Sequence, residues 1–200
     1  MGRRAAASLL LLAVAALAVV PAVAQERIDG SSYSNAKYGI QVTKPPSWHF
    51  ITAGAVVDLA KKAGGGAKIA GDDDPVKLAG FAVIVSKAPE LGRSVKPQVV
   101  VLVRELPAPP ADLVQTCEGF RSGMTEPETV KPTRRLQLGG PRPAARLDFQ
   151  GLVDSDMVRA TALCTVRDRQ VFVVVGQALA SEFDTEFSAF ESILGSFRLK

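Results

Sequence analysis

Three short apolar runs constrain the fold of this chain more than any other feature: Leu78–Ser86 (LAGFAVIVS), Val99–Val103 (VVVLV) and Val171–Val175 (VFVVV). Each has the length of a strand, and none alternates with polar residues. Each therefore reads as a strand covered on both faces. Such strands need packed layers above and below a sheet. Other segments do alternate. In Ala144–Leu152, Ala145, Leu147 and Phe149 point one way, and Arg146, Asp148 and Gln150 the other. That strand is expected to have one wetter face. Two hairpins follow from the turn residues. Arg134–Leu138 joins Ala144–Leu152 across Gly139-Gly140-Pro141-Arg142-Pro143, and Met157–Arg167 joins Gln170–Ala178 across Asp168-Arg169.

Two helices stand out. In Ala111–Met124, residues Leu113, Cys117, Phe120 and Met124 recur at helical spacing. Pro110 fits its start, and Gly123, Pro127 and Pro132 its end. The second helix carries Phe183, Phe187, Phe190 and Leu194 on one face, with Ser181 and Asp184 as an approximate capping box and Gly195 as its stop. This aromatic stripe is expected to pack on the sheet. Roughly eight strands in antiparallel runs and two helices give an α+β chain, a three-layer α/β/α sandwich around a mainly antiparallel β-sheet.

The N-terminus follows a different pattern. Arg3 and Arg4 precede an unbroken apolar run, Ala5 to Val20, and then Pro21 and Ala22-Val23-Ala24. This is the layout of a secretory signal peptide, with cleavage expected after Ala24. The run has 16 residues, short of the ~20 that span a bilayer core. A retained anchor is the alternative. Residues 1–24 are thus read as a signal peptide, 25–37 as a flexible leader, and 38–200 as one domain with a surface insertion at about 54–77. The remaining 176 residues, 200 less 24, suit a single core. Arg3 and Arg4 leave with the signal, so 22 basic and 20 acidic residues remain, a net charge of +2. That balance gives little reason to expect nucleic acid. The densest basic cluster, Lys131-Pro132-Thr133-Arg134-Arg135, lacks interleaved aromatics and reads as a solvated loop or strand edge.

Two cysteines in an exported chain suggest a disulfide. Helical spacing puts Cys117 on a buried face, and alternation puts Val158, Ala160, Ala162, Cys164 and Val166 on one strand face. A helix laid on that face brings the sulfurs within reach. Closing the loop would contribute about 4 kcal/mol through chain entropy. The alternative is two buried thiols packing as small apolar groups. No cysteine stands just after the cleavage site, so no bacterial-type lipid anchor is expected. The expected product is exported, soluble, periplasmic or extracellular, and without a later membrane span.

The opening Tyr38-Gly39-Ile40-Gln41-Val42 with Pro45-Pro46-Ser47-Trp48, and the closing Phe187-Ser188-Ala189-Phe190-Glu191-Ser192-Ile193-Leu194-Gly195-Ser196-Phe197, resemble the PsbP-like or Mog-type sandwich proteins. The resemblance covers about Tyr33 to Lys200, and 54–77 fits it least. It implies an α/β/α sandwich and a habit of binding other macromolecules. Relatives serve as extrinsic photosystem subunits, a small-GTPase binder, envelope lipoproteins and secretion chaperones. These roles share no catalytic set, so no site residue carries over. Without a lipoprotein cysteine, the chain departs from many exported relatives.

Catalytic patterns are weak. His49, the one histidine, has no Gly-x-Ser-x-Gly elbow to serve and cannot form an ordinary multi-histidine metal site alone. Ser34-Asn35-Ala36-Lys37 matches Ser-x-x-Lys but lacks its companion motifs. Gly64-Gly65-Gly66 lacks a phosphate-loop lysine, and Asp72-Asp73-Asp74 lacks calcium-loop spacing. Asp154/Asp156 and Glu126/Glu128 read as solvated turns, with few aromatics to stack a sugar. Neither catalytic nor metal residues are assigned, and no cofactor is expected. The reading is a non-catalytic exported accessory protein of the envelope, not an enzyme, working through contacts with another envelope protein. The alternatives are a carrier of a small apolar ligand, held between sheet and helix, and an exported hydrolase with an unrecognised site.

Overall fold

In a computed structural model, residues 26–56, 80–89, 95–120, 125–138 and 142–200 are described. The expected signal peptide and most of the 54–77 insertion lie outside the described residues. The strands, in chain order, are β1 (Glu26–Asp29), β2 (Ser32–Asn35), β3 (Ile40–Thr43), β4 (His49–Thr52), β5 (Phe81–Ser86) and β6 (Gln98–Glu105). Helix α1 (Leu113–Glu118) precedes β7 (Thr125–Gln137), β8 (Pro143–Val153), β9 (Asp156–Arg167) and β10 (Gln170–Leu179). Helix α2 (Phe183–Ser196) and β11 (Arg198–Leu199) follow.

Strand β10 sits in the middle of a seven-stranded sheet of order β4-β5-β6-β10-β9-β8-β7. Its neighbours β6 and β9 pair with it antiparallel. Its continuous apolar run reflects burial on both faces, because Val171, Phe172, Val173 and Val174 are all essentially inaccessible. Phe172 and Val174 join one core with α2, whereas Val171 and Val173 join another beneath α1. Two-residue turns link β8 to β9 and β9 to β10. Asp154 and Asp168 take positive φ there, at 55° and 56°. Asp tolerates that left-handed region better than most residues.

A second, four-stranded sheet of order β1-β2-β3-β11 was not anticipated. It corrects the expectation that residues 25–37 form a flexible leader. The reason is Tyr33. Its ring is fully buried, its hydroxyl proton is shared between Ala82 O at 3.2 Å and Glu26 Oε1 at 3.1 Å, and Asn35 Nδ2 donates to the hydroxyl oxygen at 3.2 Å. Burial pushes the phenol well above its ordinary pKa. One aromatic among serines is too weak a pattern to announce a strand, but it is enough to pin one once a core exists to receive it.

The mid-chain helix is shorter than expected, Leu113–Glu118 rather than Ala111–Met124. Asp112 caps it by accepting from Gln115 N at 3.0 Å. Residues 121–124 lie outside the described segments, and from Thr125 the chain is a strand. Pro127 and Pro132, expected only to end the helix, lie inside β7. Proline removes a ladder donor, and β7 is an edge strand with three register shifts, where that loss is tolerated. Helix α2 starts from Glu182 without a side-chain cap, not from Ser181, and continues through Gly195 to Ser196. Its aromatic face holds it instead. Phe190 lies 5.4 Å from Phe183 and 5.9 Å from Trp48, centroid to centroid. A Cβ at Gly176 would stand 2.8 Å from the Phe190 ring, so only glycine lets α2 approach β10 this closely.

The architecture is a mixed α+β protein of antiparallel sheets and few helices. One face of the large sheet carries α2 together with residues of the small sheet, and the other carries α1. Cys117 is bonded to Cys164, their Cα atoms 5.8 Å apart, and both side chains are fully buried among Ala145, Leu147, Ala160 and Ala162.

Candidate functional site

The residues with chemical potential in the sequence are scattered. His49 begins β4 at the sheet edge, exposed and paired in register with Ser86. Ser34 lies in β2 and Lys37 in the turn after it. Asp154 and Asp156 mark the β8–β9 turn, as expected, whereas Glu126 and Glu128 lie in edge strand β7 rather than a turn. Lys131, Arg134 and Arg135 lie on the same exposed edge. The glycine and aspartate triplets lie outside the described residues. Among the described residues no group of three His, Cys, Asp or Glu is placed to hold a metal. Full burial shields the Cys117–Cys164 sulfurs from solvent, which suits a structural staple.

The residues that do converge are ones the sequence left unassigned. Helix α2 packs on β10, β9, β6 and β3. A cleft of about 300 Å³ forms where β7, β9 and the C-terminal half of α2 meet. Leu136, Leu138, Leu163 and Leu194 supply its apolar lining, and Arg146, Glu191 and Arg198 its charges.

Arg146 is the central charged group. Its alternation on β8 turns it toward α2, opposite Ala145 and Leu147. Its side chain is only 12% exposed. Nη2 donates to Glu191 of α2, while Nε lies 3.7 Å from Asp148 Oδ1 and has no hydrogen-bond partner. Asp148 accepts from Thr161 Oγ1 at 2.6 Å and lies 3.8 Å from Arg134 Nη2. A buried guanidinium needs such a surround, since an unpaired buried charge is strongly destabilising. At the other rim, Arg198 donates to the carbonyls of Gly195 and Phe197, and nearby Arg142 donates to that of Leu199. Among the described residues, neither meets a carboxylate.

Sequence alternation identified the wet face of β8 correctly. It did not show that Arg146 would be largely covered, because the cover comes from a helix 45 residues later in the chain. The arrangement can hold an acidic group next to an apolar surface. It does not align a nucleophile with a base.

No protein-family model and no curated protein matches the chain. Solved structures do. The cyanobacterial PsbP protein CyanoP from Synechocystis sp. PCC 6803 aligns with a TM-score of 0.55 at 15% identity, over 86% of this chain and 95% of that one. LpqN of Mycobacterium tuberculosis, described as involved in cell envelope biogenesis, aligns with a TM-score of 0.53 at 14% identity, over 85% of this chain and 84% of that one. The fold is therefore PsbP-like, which agrees with the resemblance in Tyr38–Val42 and Phe187–Phe197.

Proposed function

We propose that this chain is a non-catalytic, exported accessory protein of the cell envelope that works through contacts with another envelope protein. The observation that carries this reading is the export pattern of Met1–Ala24, with its charged start, short apolar run and small-residue end. Two further points support it. The fold is shared with LpqN, a protein of envelope biogenesis. Among the described residues, no helix is long and apolar enough to cross a membrane. In its finer form the fold is a three-layer α/β/α sandwich, with α2 and α1 as outer layers. The Cys117–Cys164 bond is a structural staple, formed after export into an oxidising compartment.

The test is gentle cross-linking of tagged protein in whole cells, followed by capture from envelope extract and N-terminal sequencing. Capture of one envelope protein, with a mature chain starting at Gln25, is the expected result. Recovery of the uncleaved chain from the cytoplasm, or of no partner, overturns the proposal.

One observation favours a second reading, carriage of a small apolar ligand between sheet and helix. The leucine-lined cleft beside α2 lies in the required place. The hydrolase alternative receives no comparable support from His49, which is exposed at the start of edge strand β4.

A further inference from the structure

We propose that the cleft between β7, β9 and the C-terminal half of α2 binds a short anionic amphiphile, its apolar tail on the leucine lining and its acidic head on Arg146 and Arg198. Both parts of the ligand follow from the lining. Half-buried Leu136 and Leu138 offer apolar surface, which an alkyl chain would remove from water, over a floor formed by the buried Leu163 and Leu194. The volume of about 300 Å³ lies at the small end for ligand clefts, so the tail is short.

The charge decides the head group. Arg146 and Arg198 line the cleft, against Glu191. Arg142 and Arg198 bond only to backbone carbonyls among the described residues. Arg146 Nε is buried beside Asp148, so the donor open to exchange is Nη2, now held by the half-exposed Glu191. A charged hydrogen bond is among the stronger ones available to a ligand.

Glu191 gives the proposal its sharpest consequence. Its side chain is 45% exposed, yet its carboxylate holds the guanidinium of Arg146. It stands where a ligand head group would bind and can return to water when displaced. Glu191 is therefore a built-in competitor, and its removal should strengthen binding. A merely structural ion pair would give no such gain.

The experiment is calorimetric titration of the full mature protein with sodium decanoate, below its micelle concentration, and with decanol as the uncharged control. Saturable one-to-one binding of decanoate, at least about tenfold tighter than decanol, is expected. Glu191→Ala should tighten decanoate binding by about threefold, the scale of a half-exposed ion pair. Arg146→Met should weaken it by about tenfold or more. If Arg146→Met fails to melt cooperatively, Arg198→Gln replaces it, with a loss of about threefold expected. Equal binding of decanol and decanoate, or unchanged affinity in Glu191→Ala, overturns the proposal. So does a protein partner that occupies the cleft while decanoate does not bind. Because the titration uses no partner protein, its failure leaves the envelope-contact reading to its own test.

Discussion

On one face of the seven-stranded sheet lies a helix of six residues, α1, over a surface of Ala145, Leu147, Ala160, Ala162 and Val173. On the other lies a helix of fourteen residues, α2, with Phe183, Phe190, Ile193 and Leu194 buried against β10 and its neighbours. A six-residue helix is far below the length that is stable alone, and it presents little apolar area. It is held by the covalent link from Cys117 to Cys164. The longer helix needs no such link, because its aromatic side chains fill the space above Gly176. A staple lets a small element cover a sheet, whereas a packed helix must match the surface beneath it. The cleft opens between the C-terminal half of the packed helix and β7.

The largest expected effect breaks the packed side. Phe190→Ala removes a fully buried ring and should cost about 3–5 kcal/mol in urea unfolding. A cost below 1 kcal/mol would mean that α2 is not anchored by this stripe. Next comes the stapled side. The double replacement Cys117→Ala with Cys164→Ala opens a loop of 47 residues and should cost about 4 kcal/mol. Intact mass before and after reduction provides the direct check. Two freely alkylated thiols in the unreduced, denatured protein would remove the basis for the contrast.

A smaller effect tests the fit between α2 and β10. Gly176→Ala places a methyl against Phe190 and should lower stability by about 1–3 kcal/mol. The same change at Gly119, where nothing lies within 4 Å, should be nearly silent. Equal melting temperatures for the two variants would show that the helix yields easily.

The smallest effect concerns the cap of α1. The amide of Gln115 holds the Asp112 carboxyl below its ordinary pKa, with help from Arg135. A lowered folded-state value means that this contribution is present above the ordinary aspartate range and is lost as pH falls through the folded value. Asp112→Asn should therefore lower stability slightly at neutral and alkaline pH, match wild type at the lowest pH, and so flatten the acid limb of the stability curve. An acid limb identical to wild type would assign that limb to other carboxylates.

Much of the frame was legible because its signals are local. The runs Val99–Val103 and Val171–Val175 became central strands, and Asp168-Arg169 turned the β9–β10 hairpin. The leader was misread because β2 has only Tyr33 to mark it, and the value of that ring depends on β5 beneath it. Pro127 and Pro132 were misjudged because proline is excluded from strand interiors only when both edges are paired, and edge position is not a local property. The cleft was invisible for a similar reason. Arg146 and Glu191 are 45 positions apart, and neither carries a motif.

The sequence by itself determined the central strands, the tight turns and the aromatic face of α2, since periodicity and short-range chemistry suffice for these. Only the tertiary structure decided that residues 26–35 pair into a second sheet, that Cys117 meets Cys164, and that Arg146 meets Glu191. Each depends on which distant surfaces become neighbours. That is set by the burial of the whole core rather than by any one segment.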